Sequence, residues 1–348
     1  MIAPNAASIE SPRLPLKVVL VAMYYDYGKK ERGPGYEYNN LFLTCREIFA
    51  QADFFDFGLP LQERGQKAMN DELVAFVRER KPDLTIFCLY QDEFLPEVID
   101  ALGKEMTTLG YFFDDTWRQS YVRLWAPRFD FFTTSSLSAL RTYRDLGLTH
   151  ALYSPLGYNH FMYQKKDLPV IYDVSFVGSI HGHRQWIVNQ LKKAGIAVSV
   201  WGAGWETGRL TQEQMIDVFN QSKLVLTLSN SLNYDARYFL QSPRWALRDL
   251  RYCKKHRDQI KARHFEVSGC GSCQISYYVE DLEHCYEIGK EILIFMDVDD
   301  LIEKIRYYLR HDDERSAIAE AGYRRATRDH TLERRFRDIA TAIQATRH

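Results

Sequence analysis

At 348 residues, the chain is too long for one ordinary hydrophobic core and suits two domains of typical size. Hydrophobic residues make up 46% and charged residues 26%, which is typical of a soluble globular protein. The 45 Lys and Arg side chains balance the 46 Asp and Glu side chains, so no overall basic field favours nucleic acid or an anionic membrane. We therefore expect no nucleic-acid partner, and any phosphate site must be local.

The sequence carries no signal for a membrane or secretory location. No run of about 18 apolar residues occurs, and residues 1–16 lack the apolar core of a signal peptide, so they are predicted to be a disordered leader. Six scattered cysteines, several inside apolar runs, favour reduced thiols and a cytoplasmic location. A zinc site is a weaker alternative because only one Cys-x2-Cys pair is present among its four candidate ligands, Cys253, Cys270, Cys273 and Cys285.

Short apolar runs alternate with segments of helical period in the first half, which is the pattern of a doubly wound parallel sheet. The predicted strands are Val18–Ala22, Asp53–Phe57, Leu84–Leu89, Leu109–Phe113, Phe131–Thr134 and Ala151–Ser154. The predicted helices lie near Tyr38–Ala50, Ala68–Arg80, Leu95–Lys104, Thr116–Trp125 and Ser138–Leu146. Residues 17–157 are therefore predicted to form an N-terminal Rossmann-like domain.

A polar segment over residues 158–171 predicts a linker, and the alternation then restarts over residues 172–330. The predicted strands are Val174–Val177, Ala197–Val200, Leu224–Leu228, Cys273–Ser276 and Ile292–Phe295. The predicted helices lie near His183–Ala194, Gln212–Gln221, Gln259–Gly269 and Leu301–Arg310. The tail has helical period and is predicted as two helices broken near His330 and Thr331, with residues 331–348 packing back on the N-terminal domain. Two such domains predict a ligand cleft between the carboxyl ends of their sheets.

One segment combines two cations, a carboxylate and glycines at the start of a predicted helix. In the sequence KARHFEVSGCG, Lys261 and Arg263 are suited to a diphosphate, and Glu266 is suited to the hydroxyls of ribose or of a sugar. A solvated basic helix start, with Glu266 in a salt bridge, explains the segment equally well. Asn230 follows the preceding strand and is expected to join the same site.

The second domain opens with a strand, a turn containing Gly178 and Ser179, and a helix that carries Arg184. Free amides at a helix start favour an anion by roughly 0.3–1 kcal/mol, and Arg184 would add a charged contact. An ordinary tight turn is the alternative, because the complete dinucleotide pattern is missing.

The next strand is followed by a second glycine turn. Gly202 and Gly204 would let a ligand lie against bare backbone, and Trp205 would offer a flat face to a base or a sugar. A plain tight turn is again the alternative.

Candidate acid–base groups lie in the first half. Asp26 sits in a long, glycine-rich loop after the first strand, and such loops usually serve binding when they are ordered. Asp114 and Asp115 follow another strand, where a carboxylate is placed to act as a general base, although helix capping by Asp115 is an alternative. The acidic run from Asp297 to Asp300 is predicted to cap a helix and not to bind a metal.

The motifs taken together resemble the CgeB-like glycosyltransferases, a family named for a spore maturation protein, which has the two-domain GT-B fold. The stronger matches are YDVSFVGS from Tyr172, GAGW from Gly202, KARHFE from Lys261 with Cys270-Gly271, GKEI from Gly289, LIEKIRYYL from Leu301, Glu314-Arg315, Ile318-Ala319, Gly322 and His330-Thr331. Phe113-Asp114-Asp115 and Tyr36-Glu37 match more weakly.

The resemblance implies that the C-terminal half binds a nucleotide-diphosphate sugar and the N-terminal half binds the acceptor. Glu266 corresponds to the ribose-binding glutamate of related GT-B enzymes. The residues expected near the diphosphate are Ser179, Arg184, Lys261 and Arg263. Retaining relatives often carry a Glu-x7-Glu motif, whereas this chain has Asp258 at the first position, so the stereochemical outcome is left open.

The predicted fold is therefore α/β, with two Rossmann-like domains facing each other and C-terminal helices, and the predicted function is hexosyltransferase-like transfer to an acceptor hydroxyl. Cations and helix-start amides would stabilise the leaving diphosphate, so no metal or other cofactor is expected. Acceptor activation is assigned to Asp114 or Asp115, with His181 and Asp26 as alternatives. The acceptor, whether a glycan, a lipid-linked saccharide, a protein or a small molecule, and the oligomeric state are left open.

Two other functions remain as alternatives. A non-catalytic nucleotide-sugar-binding protein would share the fold and the donor site. A nicotinamide-dependent oxidoreductase would share the paired Rossmann pattern, but the chain lacks the complete dinucleotide fingerprint.

Overall fold

A computed structural model describes residues 12–229, 235–252, 255 and 258–346. Asn230 and Cys253, both singled out in the sequence, lie outside the described residues, as do residues 1–11 of the predicted leader. The first strand begins at Leu14, so the last three residues of that predicted leader belong to the sheet. Within the described ranges, no helix has both the length and the apolar character needed to cross a membrane.

The chain contains two sheets, and every predicted strand is found in one of them. The first sheet has the order β2-β1-β3-β4-β5-β6, and its strands are β1 Leu14–Ala22, β2 Phe49–Asp56, β3 Leu84–Phe87, β4 Thr107–Gly110, β5 Phe131–Thr134 and β6 Ala151–Tyr153. The second has the order β11-β10-β9-β7-β8, and its strands are β7 Tyr172–Val177, β8 Val198–Trp201, β9 Ser222–Thr227, β10 Cys273–Tyr277 and β11 Leu293–Phe295.

Continuous apolar runs produce these strands because both faces of each sheet are covered. Residues Val18–Ala22 of β1 are all buried, and β1 pairs in parallel with β2 and β3 on its two sides. In the second sheet, β7 pairs in parallel with β8 on one side and β9 on the other. The strand order therefore reverses beside β1 and beside β7, and ligands of open parallel sheets bind at the carboxyl ends of strands at such points.

The helices connect these strands. Their bounds are α1 Leu43–Ile48, α2 Gly58–Arg80, α3 Pro96–Gly103, α4 Gln119–Trp125, α5 Leu137–Asp145, α6 Gly182–Lys193, α7 Gln212–Asn220, α8 Ala236–Gln241, α9 Pro243–Tyr252, α10 Arg263–Gly269, α11 Leu282–Cys285, α12 Val298–Arg310, α13 Asp312–Asp329 and α14 Leu332–Thr346. A π-helix over Glu37–Phe42 precedes α1. The predicted break between the tail helices at His330 and Thr331 is confirmed, whereas α8, α9 and α11 were not predicted.

Internal contacts divide the chain into two units. One comprises Met1–Leu109 with Arg128–Asp130, and the other comprises Gly110–Pro127 with Phe131–His348. The segment Gly110–Pro127 was predicted to belong with the N-terminal strands, and its place in the second unit puts Asp114 in the same unit as Lys261. The predicted domain boundaries at residues 157 and 171 stay a prediction.

The five-stranded second sheet forms the core of the second unit. Strand residues such as Val174, Leu226 and Ile275 pack with Trp186 of α6 and Leu301 of α12 in one buried cluster. Residues 158–171, the predicted linker, form no helix or strand element. Because this core fixes the ends of β7 and β8, the loops that follow those two strands are held in defined positions.

Candidate functional site

Arg184 makes hydrogen bonds to the segments that follow β7 and β9, the two neighbouring strands between which the order of the second sheet reverses. It lies in the first turn of α6, directly after the loop that follows β7. One guanidinium nitrogen, Nη1, donates to the carbonyl oxygen of Ser179 at 2.9 Å. The Nε and Nη2 atoms donate to the carbonyl oxygen of Leu228, after β9, at 3.1 and 2.8 Å. The guanidinium is therefore fixed at the position where ligands of this sheet type bind.

The charge of Arg184 is not neutralised by these contacts. Its hydrogen-bond acceptors are backbone carbonyl oxygens, and the ion pairs found among the described residues do not include it. Burial, together with the positive charge of Arg263, lowers the pKa of Arg184 to about 10. Arg184 and Arg263 repel each other, so an anion bound between or beside them would be stabilised.

The partly buried Arg263 forms a cluster with the buried residues Glu266 and Tyr163. The guanidinium of Arg263 lies 3.0 Å from Oε2 of Glu266 and stacks over the ring of Phe219. The hydroxyl of Tyr163 donates to Oε1 of Glu266 at 2.7 Å, and the carboxylate is buried. The salt bridge that was one interpretation of Glu266 is therefore present. Each carboxylate oxygen can accept a second hydrogen bond, so the predicted contact with ribose is compatible with this geometry and stays a prediction.

Lys261 is held by one of the predicted general bases. Its Nζ lies 2.7 Å from Oδ1 of Asp114, and Nζ of Lys255 lies 3.8 Å from Oδ2. Gln259 donates to the Asp114 carboxylate at 3.1 Å and to the Phe113 carbonyl, and it accepts from Thr116. Gln259 has no local sequence signal, because a lone glutamine near the start of a helix can have many roles.

These neighbours make Asp114 a poor proton acceptor at neutral pH. Burial alone would raise the pKa of Asp114, but Lys261 and Lys255 hold it below its ordinary value. A general base works best when its pKa lies near the working pH. The geometry favours a role in positioning Lys261 and Gln259.

Asp115 points into the protein interior. Only 1% of the residue is exposed, and its Oδ2 accepts hydrogen bonds from Thr134 and from the hydroxyl of Tyr143. Burial raises the pKa of Asp115. Helix α4 begins at Gln119 after an Arg118 N-cap, so the alternative interpretation, helix capping by Asp115, is wrong. Its burial also disfavours the predicted contact with an acceptor, because a buried side chain cannot reach a substrate hydroxyl.

The two glycine turns of the second unit pack against each other. A Cβ on Gly202, whose φ is +139°, would lie 2.2 Å from the carbonyl oxygen of Gly178. A Cβ on Gly204 would lie 2.2 Å from Ile180. The indole N–H of Trp205 donates to the Gly178 carbonyl at 2.9 Å. These glycines therefore permit close approach of one loop to the other, and the predicted ligand contact of this turn stays a prediction.

His181 and Asp26 occupy different units. His181 is the N-cap residue of α6, and partial loss of solvation around the imidazole, together with the charge of Arg184, lowers its pKa. Asp26 lies in a short 3-10 helix after β1, where its carboxylate is 3.7 Å from Arg32. The structure thus places His181 with the Arg184 group and Asp26 in the loop after β1.

Glu37 is a further carboxylate that follows β1, at the start of the π-helix. A Cβ on Gly35 would lie 3.0 Å from its Oε2 and 3.4 Å from the backbone of Asp26, so these groups adjoin. Burial, with a smaller contribution from Asp26, raises the pKa of Glu37 to about 7. A carboxyl group in this range can both lose and accept a proton near neutral pH.

The acidic run from Asp297 to Asp300 caps a helix, and the cysteines of the Cys-x2-Cys pair are buried. Asp297 accepts from the backbone amides of Asp299 and Asp300, which confirms that it caps α12. Cys270 directly follows α10 and Cys273 begins β10; both are free, buried thiols, and burial raises the pKa of both. In the part of the chain that the structure describes, no group of three or more His, Cys, Asp or Glu side chains is arranged to hold a metal ion.

Comparison with known proteins agrees with this fold. Residues 184–341 match the family model Glyco_trans_1_2, described as glycosyl transferase-like. A comparison with curated protein sequences gives no match. The matched range begins at Arg184 and includes Lys261, Arg263 and Glu266.

Solved structures resemble the whole chain. HepE of Anabaena in complex with UDP is 11% identical, with a TM-score of 0.58 over 94% of this chain and 100% of that chain. Sucrose-phosphate synthase from Thermosynechococcus elongatus is 9% identical, with a TM-score of 0.60 over 95% and 99%. A glycosyltransferase from Rickettsia africae is 9% identical, with a TM-score of 0.62 over 94% and 97%.

The fold is therefore the GT-B fold of glycosyltransferases, with two parallel, Rossmann-like sheets and C-terminal helices. Its C-terminal part is similar to a glycosyltransferase family in sequence as well. The finer resemblance to CgeB-like proteins stays a prediction.

Proposed function

We propose that the protein transfers a sugar from a nucleotide-diphosphate sugar to an acceptor hydroxyl without a metal. The observation that carries the proposal is Arg184, a partly buried cation without a carboxylate partner among the described residues, at the strand reversal of the second sheet. Its neighbour Arg263 makes the local charge more positive. A diphosphate would offset this charge, and the Anabaena HepE structure, which shares the fold, contains UDP.

The leaving diphosphate would be stabilised by groups that are already in place. Arg184 is held by three hydrogen bonds, and the N-terminus of the twelve-residue helix α6 lies beside it. Such preorganised donors stabilise charge that develops in the transition state. Lys261 and Glu266 would complete the site as contacts to the diphosphate and the ribose.

Acceptor activation is assigned to Glu37 in place of the predicted aspartates. Its pKa near 7 suits proton acceptance from a hydroxyl, whereas Asp114 is held ionised by lysines and Asp115 is buried. His181 and Asp26 remain the alternatives. We infer that residues of the first unit bind the acceptor, which is the division of roles that the resemblance to GT-B enzymes implies.

The second candidate function is a non-catalytic nucleotide-sugar-binding protein. The observation in its favour is that both predicted bases, Asp114 and Asp115, are engaged within the protein. Nucleotide release in the presence of a crude acceptor extract separates the two functions. Turnover excludes the binding protein, whereas tight binding with no turnover favours it.

The donor site is tested by binding of UDP, GDP, TDP, CDP and their sugars to Arg184→Gln. A lost charged hydrogen bond of roughly 1.5–3 kcal/mol predicts about 10- to 100-fold weaker binding. Arg306→Gln is the matched control, because Arg306 also donates to a backbone carbonyl, that of Ala194 at 2.7 Å. The site assignment is wrong if no nucleotide binds, or if Arg184→Gln binds as tightly as Arg306→Gln.

A further inference from the structure

Helices α8 and α9 carry three strongly exposed leucines. Leu240, Leu247 and Leu250 are 81%, 66% and 53% exposed. The opposite side of α9 is packed: Ala246 is buried, and Trp245 lies against the first turn of α6, where it would meet a Cβ on Gly182. The helix is therefore anchored on one side and presents leucines on the other.

Three arginines share the outward side of α9. Arg244, Arg248 and Arg251 are exposed. At 100° per residue they form one stripe, Leu247 lies next to it, and Leu250 continues the face beyond Leu247. These three arginines, with Leu247 and Leu250, are called the Leu–Arg face below; Leu240 lies on the preceding helix α8.

Acidic side chains are nearly absent from this segment. Asp249 is the one acidic residue in the sequence of α8 and α9, and it accepts a hydrogen bond from the buried Tyr238 hydroxyl at 2.6 Å. The Leu–Arg face therefore combines apolar and cationic groups with no carboxylate of its own. Its partner must offer both apolar contact and negative charge.

We propose that the Leu–Arg face binds the surface of an anionic phospholipid bilayer. Leucines on such a helix enter the boundary between headgroups and acyl chains, and arginines remain at the level of the lipid phosphates. An anionic bilayer supplies both environments over the whole length of the face. This inference is independent of the proposed sugar transfer.

The proposal is tested with the full chain and sedimenting vesicles. Vesicles of phosphatidylcholine with an equal share of phosphatidylglycerol should bind the protein, most strongly at low salt, and pure phosphatidylcholine vesicles should bind it weakly. Arg244→Gln with Arg251→Gln should weaken binding roughly 25-fold, since each cation near an anionic surface contributes roughly fivefold. Leu247→Ser with Leu250→Ser should weaken it at least as much.

Matched controls come from exposed residues elsewhere in the same unit. Leu124 and Leu146 are 57% and 42% exposed, and Arg141 and Arg144 are exposed on α5, so their Ser and Gln double variants should bind like the wild type. Thermal unfolding verifies that every variant is folded. The proposal is overturned if the wild type does not bind anionic vesicles at low salt, or if the Leu–Arg variants bind no more weakly than their controls; either result would leave the face to a protein partner.

Discussion

The Nζ of Lys261 lies 2.7 Å from Oδ1 of Asp114, so a predicted phosphate ligand and a predicted general base are paired with each other. The two side chains are 31% and 28% exposed, which leaves the pair partly screened by solvent. In this arrangement Asp114 occupies the position of an anion beside Lys261. A bound diphosphate would compete with Asp114 for the same ammonium group.

Asp114→Asn is therefore expected to strengthen binding of nucleoside diphosphate. Removal of a competing ion pair of about 1 kcal/mol predicts roughly fivefold tighter binding, measured by titration calorimetry. Lys261→Met should weaken binding, and the double variant should bind like Lys261→Met. Asp217→Asn is the control, because Asp217 forms an equally short pair with Lys166. Weaker binding by Asp114→Asn would contradict competition at Lys261.

The Asp114 pair also has a defined dependence on pH. Because the pKa of Asp114 is lowered in the folded protein, the pair stabilises the fold above the ordinary value of 3.8 and loses this effect as the pH falls through the folded pKa. Urea denaturation of a double-variant cycle should give a coupling free energy of up to about 1 kcal/mol at pH 7. A coupling that is unchanged at pH 3 would show that the ion pair is not its source.

Gly202→Ala tests the packing of the two glycine turns. The new Cβ would lie 2.2 Å from the Gly178 carbonyl oxygen, so one loop must move. We expect a loss of roughly 2–4 kcal/mol in the free energy of unfolding, because a steric clash adds to the strain of a positive φ. Gly208→Ala is the matched control: its φ is +70°, but a Cβ there meets nothing within 4 Å. Equal losses in the two variants would mean that backbone strain, and not contact with Gly178, is the cause.

Periodicity located every strand because buried parallel strands are continuous apolar runs between breaks. The same reasoning missed α8 and α9, whose outward side carries Leu240 and Leu247, so apolar residues do not follow one buried face. The helical pattern placed the start of α10 at Gln259, whereas the helix begins at Arg263. Gln259 instead makes hydrogen bonds to Thr116 and Phe113, which are far away in the sequence. Helical pattern alone cannot reveal such a contact.

The candidate site was predicted in part for the same reason. The charged residues after β7 and before α10 were found because strand ends and helix starts have local signals, and Arg184 and Arg263 do lie near each other. Their partners were not found. Tyr163, which binds Glu266, comes from a segment with no regular structure and lies 103 residues away in the chain.

Tyr163→Phe tests the support of Glu266. Loss of a buried hydroxyl that donates to a carboxylate predicts a decrease of about 1–3 kcal/mol in the free energy of unfolding, measured by urea denaturation. Tyr278→Phe is the matched control, because Tyr278 also donates to a glutamate, Glu283, but is exposed. It should cost less than about 0.5 kcal/mol. If both variants lose the same free energy, burial does not strengthen the contact with Glu266.

Glu266→Ala would leave the partly buried charge of Arg263 without its carboxylate, and the cost of about 3–5 kcal/mol for breaking a fully buried ion pair is the upper limit of the expected loss in the free energy of unfolding. Glu266→Gln keeps the shape of the side chain and its hydrogen bond from Tyr163, so it is the better probe of ribose binding. We expect Glu266→Gln to weaken binding of UDP more than binding of pyrophosphate, as measured by titration calorimetry. An equal effect on both ligands would assign Glu266 to holding Arg263 alone.

Glu37→Gln is expected to remove a pH-dependent loss of stability. Because the pKa of Glu37 rises from 4.5 to about 7 on folding, the folded protein binds more protons than the unfolded chain between these values. The free energy of unfolding of the wild type therefore falls as the pH rises across this window, by at most about 1.4 kcal/mol per pH unit. Glu37→Gln lacks this component, so its stability relative to the wild type should increase from pH 5 to pH 8.

Urea denaturation at each pH measures the difference in the free energy of unfolding between Glu37→Gln and the wild type. Glu31→Gln is the control, because Glu31 is an exposed residue of the same loop. A constant difference between Glu37→Gln and the wild type would show that Glu37 ionises at its ordinary pKa and would remove the support for its role in acceptor activation.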